Sequence, residues 1–243
     1  MSMHIRVIDL ETTGFTATEH HVCEIGFADL IIVPDRGWEV GSGGDVLINP
    51  GRPIPPVSSA IHHIIDADVA HCPSFEEAAP QVFHRDAHQP LAYAAHNAKF
   101  ERQWCTDDVT GDAPWICTYK AALRLWPEAP GHSNQALRYW RNPVGIQREI
   151  ASRTHRAFPD AYVTAYLLLE MLSLAPLEDL IRWTQEPALL ARCPLRQCKG
   201  MPWSEVDEGL LHWIAQRDFD EDIHFTVRHE LARRYASTDG EAA

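Results

Sequence analysis

Residues 5–10 form a short apolar run with Asp9 near its end, and Glu11 and the turn-forming stretch 12–14 follow at once. An apolar run of this length that ends at a turn predicts a buried β-strand. Side chains two residues apart on a strand point to the same face, so Asp9 and Glu11 would stand side by side. Two such carboxylates repel each other, and a hard divalent cation, which prefers carboxylate ligands, would compensate. The two residues alone leave a simpler alternative open, in which both acids are solvated at the start of a loop.

Strands dominate the start of the chain and helices are interleaved later, which is the pattern of a mixed α/β domain. Beyond the first strand, further strands are predicted at residues 22–33, 38–49, 91–94 and 115–117. The Gly41-Ser-Gly-Gly44 stretch interrupts one of these strands and indicates a bulge or a turn. Helices are predicted at residues 59–65, 75–83, 97–105 with Asn97 as the cap, 118–125, 133–140, and from residue 158 onward.

The helix that starts near residue 158 is the clearest of the chain, because Pro159 is tolerated in a first turn and the apolar residues follow a helical period. Val163, Leu167 and Met171 would form one stripe on it. The sequence of residues 176–194 predicts a helix followed by a linker. A small C-terminal helical tail is expected after it, with an apolar core of Leu210, Leu211, Trp213 and Ile214.

The length of 243 residues allows one full α/β domain with a small appendage. Hydrophobic residues make up 45% and charged residues 23%, which excludes wholesale disorder. No apolar run approaches the roughly 18 residues of a membrane span, and residues 5–10 are too short for a signal-peptide core. We therefore expect a cytoplasmic protein with no membrane association. The six cysteines lack a CxxC pair and are expected to be reduced, mostly buried thiols with no zinc site.

The net charge of −13 is unfavourable for a nucleic-acid enzyme, because phosphate contacts normally come from a basic surface. The charge is uneven, however, since the segment 119–156 carries seven basic residues and only two acidic ones. This segment is either a phosphate-binding face or an ordinary solvated helical surface, and charge alone does not separate the two. Its basic residues are Lys120, Arg124, Arg138, Arg141, Arg148, Arg153 and Arg156.

A third acidic candidate, Asp160, ends the segment His155-Arg-Ala-Phe-Pro-Asp160, near the start of the clearest helix. In a continuous helix, His155 and Asp160 would lie about 140° apart. Both can face one site only if His155 lies on the incoming loop or in the first helical turn. The alternative is an acid that the helix dipole favours, beside an ordinary surface histidine.

Three segments, taken in order, carry a specific resemblance: Asp9-Leu-Glu11-Thr-Thr-Gly14, His96-Asn-Ala-Lys-Phe-Glu101 and His155-Arg-Ala-Phe-Pro-Asp160. They resemble the three exonuclease motifs of the DnaQ-like DEDDh family of 3′-5′ exonucleases, and in particular its exodeoxyribonuclease X-like members. Two connecting regions are also similar. These are Ala60-Ile-His-His-Ile64, and Trp115-Ile-Cys-Thr118 with the following Leu123-Arg-Leu-Trp-Pro127, and the whole resemblance spans about residues 4–172.

The resemblance implies a ribonuclease H-like α/β fold, with a five-stranded mixed sheet flanked by helices and an antiparallel second strand. It also implies two Mg²⁺ ions, for which Mn²⁺ substitutes, that activate a water and stabilise the leaving oxygen. The metal ligands would be Asp9, Glu11, Glu101 and Asp160, with His155 as the general base. The terminal nucleotide would contact Thr12, Thr13, Phe15, His62 and Asn97.

Glu101 departs from the family pattern, in which the second motif ends in aspartate. A glutamate is one methylene longer and can reach a metal directly or through water, so we expect an active enzyme. The departure leaves the geometry of the second metal in question. The alternative is that Glu101 is only an acid in a first helical turn, where the helix dipole favours it.

The resemblance divides the chain into an exonuclease domain at residues 1–175 and a small C-terminal module at residues 190–238. The module resembles that of exodeoxyribonuclease X at Lys199-Gly200, Trp203-Ser-Glu-Val206 and Leu210-Leu-His-Trp213. This favours DNA over RNA, although a helical cap that only packs on the catalytic domain is an equal alternative. The expected function is a metal-dependent 3′-5′ exonuclease acting on single strands or duplex ends, with protein partners unspecified. An RNA-trimming enzyme and a non-catalytic nucleotide-binding module are the other readings.

Overall fold

The computed structural model describes residues 3–83 and 89–240. Its centre is a five-stranded sheet in the order β3-β2-β1-β4-β5. Strand β2 is antiparallel to both β1 and β3, whereas β4 pairs in parallel with β1 and β5 pairs in parallel with β4. This confirms the predicted mixed sheet with an antiparallel second strand. The strands are β1 (His4–Thr12), β2 (Val22–Val33), β3 (Gly37–Leu47), β4 (Ala92–Ala95) and β5 (Trp115–Cys117).

Helices flank the sheet and follow it in the chain. Short 3₁₀ turns occur at Glu101–Gln103, Arg196–Cys198 and Trp203–Glu205. The α-helices are α1 (Pro56–His62), α2 (Asp66–Val69), α3 (Phe75–Phe83), α4 (Asp107–Thr110), α5 (Thr118–Leu125), α6 (Asn134–Arg141), α7 (Arg148–Ala151), α8 (Ala157–Leu174), α9 (Leu177–Gln185), α10 (Glu208–Ala215) and α11 (Glu221–Gly240).

The alternation of side chains along β1 gives the sheet two buried faces. Ile5 and Val7 belong to the core that α5, α8 and α9 cover, whereas Ile8 and Leu10 belong to the opposite core, which includes residues of α3. Asp9 and Glu11 continue the odd-numbered series, because side chains on a strand alternate with a period of two. The two acids therefore lie at the end of the face that α8 covers.

Helix α8 lies very close to β2 and β3, and two glycines allow this. A Cβ atom at Gly26 would lie 2.0 Å from the carbonyl carbon of Ala157, and one at Gly43 would lie 2.5 Å from Cε2 of Phe158. The predicted bulge at residues 41–44 is confirmed, since the β2–β3 register shifts between Ala28 and Leu30, while β3 continues through the stretch without a turn.

The helix predicted at residues 97–105 is wrong. Asn97 has a left-handed backbone with φ of 75°, whereas a helix N-cap needs an extended one. Its carbonyl accepts a hydrogen bond from the N–H of Phe100, which closes a tight turn, and only the 3₁₀ turn Glu101–Gln103 follows. The chain turns after the end of β4, and the 3₁₀ turn that carries Glu101 contacts the central strand β1.

The C-terminal residues form their own hydrophobic cluster. It includes Trp203, Leu211, Ile214 and Val227, and α10 packs against α11 within it. Cys193 and Cys198 are joined by a disulfide in this region, which contradicts the expected reduced thiols. Cys23, Cys105 and Cys117 are buried thiols, as expected. Within the described residues, no helix has both the length and the apolar character that crossing a membrane requires.

Arg124 connects this C-terminal cluster to the sheet domain. Its guanidinium lies 5.4 Å from the ring centroid of Trp183 in α9 and 5.5 Å from that of Phe225 in α11. The same group forms an ion pair with Glu186 at 2.5 Å. Helix α9 packs on β5 and α5, so its contacts are with the sheet domain.

Candidate active site

Three carboxyl groups from separate segments meet at the end of β1. Oxygen atoms of Asp9, Glu11 and Asp160 all lie within 4.8 Å of one another, an arrangement that could hold a metal ion. Asp9 and Glu11 come from the strand, and Asp160 comes from the first turn of α8. The structure therefore brings together the three acids that the sequence singled out, because α8 packs on the face to which the odd-numbered residues of β1 point.

The pKa values of all three acids are raised in this environment. Burial, followed by the charges of Glu11 and Asp160, raises the pKa of Asp9 well above its usual range. Burial and the charges of Asp160 and Glu24 raise the pKa of Glu11 to about 8. Burial also raises the pKa of Asp160. These shifts express the cost of burying charged carboxylates and, for Asp9 and Glu11, the repulsion between neighbouring acids, so the donor set fits a hard divalent ion.

Glu101 lies beside this cluster but outside its closest group of three. Its side chain is buried, and Oε2 has no hydrogen-bond partner among the described residues. Burial, with a smaller contribution from the charge of Glu11, raises the pKa of Glu101 to about 8. A buried, unpartnered carboxyl is costly unless a ligand satisfies it. Glu101 begins a 3₁₀ turn of three residues, and the alternative of an acid favoured by a helix dipole does not account for its burial or for its unpartnered oxygen.

His155 lies on the loop immediately before α8. Its backbone is left-handed, with φ of 58°, and its N–H donates a 2.7 Å hydrogen bond to Oδ2 of Asp160. The residue is exposed to solvent. This placement meets the condition that His155 precedes the helix, without which it could not share a site with Asp160.

The five residues expected to contact a nucleotide fall into two groups. Phe15 is 78% exposed and Asn97 is exposed, so both are available to a ligand. Thr12, Thr13 and His62 are buried. A nucleotide contact by these five residues stays a prediction.

The buried members of this set hold the end of β1 in place. The Thr13 carbonyl accepts a 3.0 Å hydrogen bond from Ser58 Oγ in α1, and Thr13 Oγ1 accepts one from the N–H of His21. Burial lowers the pKa of His62, whose neutral Nδ1 accepts a hydrogen bond from the N–H of Ile64. These contacts tie α1 to the end of β1 that carries the acids.

The first residue of the second motif has a structural role. Burial lowers the pKa of His96 to about 4, so its ring is neutral. Its Nε2–H donates to the carbonyl of His132 at 2.8 Å, and Nδ1 accepts from Thr118 Oγ1 at 3.0 Å. The ring thereby fixes the end of β4 to the start of α5, next to the turn that carries Glu101.

Sequence reasoning missed Glu24, a fully buried carboxylate on β2. It lies opposite Glu11 in the β1–β2 register and accepts hydrogen bonds from Arg156 and from the N–H of Ala157 at 2.9 Å. The sequence shows only an acid among apolar residues near the start of the predicted strand 22–33, and nothing in it points to the partner Arg156.

Most basic residues of the segment 119–156 form hydrogen bonds or ion pairs with other residues of the protein. Lys120 donates to the carbonyls of Thr184 and Glu186, and Arg124 pairs with Glu186. Arg138, Arg141 and Arg156 bond to Ala151, Glu170 and Glu24, respectively. Five of the seven basic residues therefore stabilise the fold. Arg148 and Arg153 are exposed and remain as candidate phosphate contacts.

The sequence of this chain matches one protein family over most of the sheet domain. The family model RNase_T, described as an exonuclease, matches residues 7–168. The chain belongs to the RNase_T exonuclease family. All three motifs lie inside or at the edge of the matched region, as does the whole carboxylate cluster. Membership in this exonuclease family supports hydrolytic nuclease activity on nucleic acid and the use of a divalent metal ion.

Individual relatives support this assignment over different lengths of the chain. Exodeoxyribonuclease 10 of Escherichia coli strain K12 is 31% identical over 234 residues, covering 93% of this chain and 98% of that protein. A DNA polymerase III subunit epsilon-like protein of Rhodobacter capsulatus is 33% identical over 173 residues, covering 68% of this chain and 23% of that protein. The similarity to the first protein therefore extends beyond the region 7–168 that the family model matches.

Solved structures agree with the fold. Exonuclease X in complex with 5′ overhanging duplex DNA matches with a TM-score of 0.56 and 32% identity, covering 74% of this chain and 99% of that one. A 3′-exonuclease solved for 3′-end specific recognition of a histone mRNA stem-loop matches with a TM-score of 0.53, covering 71% of this chain and 82% of that one. At 14% identity, the latter shows the shared fold alone.

Proposed function

We propose that this protein is a magnesium-dependent 3′-5′ exonuclease of the DEDDh type that acts on DNA ends. The observation that carries the proposal is the convergence of Asp9, Glu11 and Asp160 within 4.8 Å, with the buried carboxyl of Glu101 beside them. Four acids from three motifs in one place have no structural purpose that would offset their repulsion. The raised pKa values of Asp9, Glu11 and Glu101 support a site that a cation completes.

Each residue has a distinct role in the proposal. Asp9, Glu11, Asp160 and Glu101 hold two Mg²⁺ ions, which Mn²⁺ can replace. When bound, the ions supply Lewis-acid stabilisation of the negative charge that develops during phosphodiester hydrolysis. His155, on the exposed loop, accepts the proton of the attacking water. Its hydrogen bond to Asp160 keeps the base at a fixed place relative to the acids.

The terminal nucleotide is positioned by groups around the strand end. Phe15 presents an exposed aromatic ring on which a base can stack, a contact that tolerates any base sequence. Asn97 offers an exposed amide, and Thr12, Thr13 and His62 shape the wall behind the acids. Arg148 and Arg153 are exposed cations for the phosphate backbone. The net charge of −13 predicts weak non-specific binding elsewhere on the surface.

DNA is the favoured substrate because the similarity to Exodeoxyribonuclease 10 covers 93% of the chain, which leaves too few residues outside the match to exclude most of the segment 190–238. The similar Exonuclease X structure also contains a 5′ overhanging DNA duplex. An RNA-trimming activity remains the competing proposal, since discrimination by the 2′-hydroxyl depends on pocket shape and not on the motifs. The intact acids and His155 oppose a non-catalytic binding module.

The deciding experiment uses 5′-labelled DNA and RNA oligonucleotides of the same sequence, as single strands and as duplexes, with Mg²⁺, Mn²⁺ or a chelator. We expect a ladder of products shortened from the 3′ end, with DNA degraded faster than RNA. Asp9→Asn is the matched control, because it removes one charge at nearly constant volume and should abolish cleavage. Release of the labelled 5′ nucleotide first, or equal cleavage by wild type and Asp9→Asn, would contradict the proposal.

A further inference from the structure

Glu24 is a carboxylate that the proposed chemistry does not use. It lies on β2 directly opposite Glu11, with no exposed surface. Paired residues on antiparallel strands have Cβ atoms about 5 Å apart on the same face, and like charges placed there are destabilising. A second buried acid beside a metal ligand therefore requires a specific partner.

The partner comes from the segment that carries the catalytic base. Arg156 Nε donates to Glu24 Oε2 at 3.0 Å, and Arg156 Nη2 forms a short bond to Oε1. The N–H of Ala157 donates to Oε2 at 2.9 Å. The two donor residues directly follow His155 in the chain. Asp45 on β3 lies 3.9 Å from the same guanidinium.

Asp160 has an anchor that does not depend on Glu24. Gln135 Nε2 in α6 donates to its Oδ1 at 3.0 Å, and Asn134 Nδ2 donates to its backbone carbonyl at 3.0 Å. The His155 loop precedes α8 and has a left-handed backbone at the histidine itself. Glu24 is the buried group that fixes the two residues next to this histidine.

Stability alone does not account for such a pair. A buried ion pair is often no more stabilising than apolar residues of similar volume, because desolvation offsets the attraction. Two hydrogen bonds join the guanidinium of Arg156 to the carboxylate of Glu24. A bidentate pair of this kind fixes the orientation of the groups it joins, and here it fixes the backbone at Arg156. Gly26, two residues along β2, removes the Cβ atom that would keep Ala157 away.

We propose that Glu24 is a positioning residue that places His155 for proton transfer, acting through Arg156 and the N–H of Ala157. In this role it acts on the base and is itself a ligand of neither substrate nor metal. The inference rests on the proposed function, since it assigns His155 the role of base. Removing the carboxylate should therefore reduce turnover while leaving the binding of metal and of nucleic acid close to normal.

The test is a double-mutant cycle with Glu24→Gln and His155→Ala, measured as kcat, KM for a DNA oligonucleotide and the Mg²⁺ concentration for half-maximal rate. Glu24→Gln should lower kcat about 10- to 100-fold, as loss of a supporting residue typically does, and leave the other two values within about threefold. In the His155→Ala background the same substitution should have little further effect, because residues that act as a unit are not additive.

Glu170→Gln is the matched control, since it removes a similar arginine pair with Arg141 at 2.7 Å in the same domain, away from the acids. It should leave kcat unchanged. If Glu24→Gln does not fold, Arg156→Lys tests the same contact, because lysine keeps the positive charge but cannot form two parallel hydrogen bonds with the carboxylate. The same loss of kcat is expected when residue 155 is histidine, and little further loss when it is alanine.

The outcomes separate this inference from the proposed function. A wild-type protein without metal-dependent nuclease activity overturns both. An active wild type whose folded Glu24→Gln variant keeps full kcat overturns the positioning role alone. Equal losses in the two His155 backgrounds also overturn it, because the effect would then not pass through the histidine.

Discussion

The backbone N–H of His155 donates a 2.7 Å hydrogen bond to Oδ2 of Asp160. The proposed base and one proposed metal ligand are thereby fixed to each other through the chain that joins them. The left-handed backbone at His155 makes this possible, because it turns the N–H back towards the first turn of α8. A carboxylate that accepts such a bond keeps its other oxygen lone pairs available for a cation.

The first prediction concerns stability in the absence of metal. The pKa values of Glu11 and Glu101 are raised to about 8, whereas an unfolded glutamate titrates near pH 4.3. Between these limits the folded state holds protons that the unfolded chain has released. The free energy of unfolding should therefore fall as pH rises from about 4.3 to 8. Thermal denaturation with a chelator, followed over this range, measures the effect.

Magnesium should reverse this trend, because it binds the ionised carboxylates. The rise in Tm on adding Mg²⁺ is expected to be larger at pH 8 than at pH 6. The Glu11→Gln, Glu101→Gln double variant is the control, since it lacks both titrating groups and should show a shallower slope. A metal-free Tm with the same pH slope in wild type and in this variant would contradict the assignment.

The second prediction concerns Glu101, where the family has aspartate. Glu101→Asp restores the family residue and should preserve or raise turnover. Glu101→Ala removes the ligand and should lower turnover by about 10- to 100-fold with a higher Mg²⁺ requirement. Steady-state rates across a Mg²⁺ titration measure both, with circular dichroism to establish folding. Equal activity of the alanine variant and wild type would leave Glu101 without a metal role.

The parts of the site that the sequence revealed are those set by local periodicity. The two-residue spacing of Asp9 and Glu11 determines a shared face, and the apolar stripe of α8 determines which side that helix buries. Together these place Asp160 near the strand end. The five-stranded sheet was predicted from the family resemblance and is confirmed.

The parts that the sequence did not reveal depend on long-range partners. Glu24 reads as an ordinary strand residue until Arg156, 132 positions away, is placed beside it. The basic segment 119–156 suggests a phosphate surface until its arginines meet internal acceptors. Asn97 resembles a helix cap because its side chain is right for one, and only its backbone of φ 75° excludes that role.

The third prediction tests the close approach of β2 and α8. Gly26→Ala should cost at least about 3 kcal/mol in the free energy of unfolding, because the added Cβ would meet the Ala157 backbone, which cannot rotate away. Gly44→Ala is the matched control, since its Cβ would meet only Phe27 at 3.6 Å, an ordinary contact. Urea denaturation of the two variants measures the difference. Equal stability would show that α8 does not lie against β2 as described.

The last prediction concerns the proton transfer itself. His155→Ala should lower turnover by about 10²- to 10⁴-fold, the range of a positioned general base. Metal and oligonucleotide binding should stay nearly normal, because the four carboxyls remain and the N–H of residue 155 still donates to Asp160. Fluorescence anisotropy with a labelled oligonucleotide in Ca²⁺ measures binding separately from cleavage.

The pH dependence distinguishes the histidine from other sources of rate loss. A general base must be unprotonated to accept the proton, so the wild-type log kcat should rise with pH and then level off. His155→Ala should lack this limb, because no imidazole is then available to accept the proton. A water activated by a cation can also titrate near neutrality, so the difference between the two profiles, and not the wild-type profile alone, is decisive. If His155→Ala keeps wild-type turnover at saturating Mg²⁺, the histidine is not the general base and the protein is not an exonuclease of the DEDDh type.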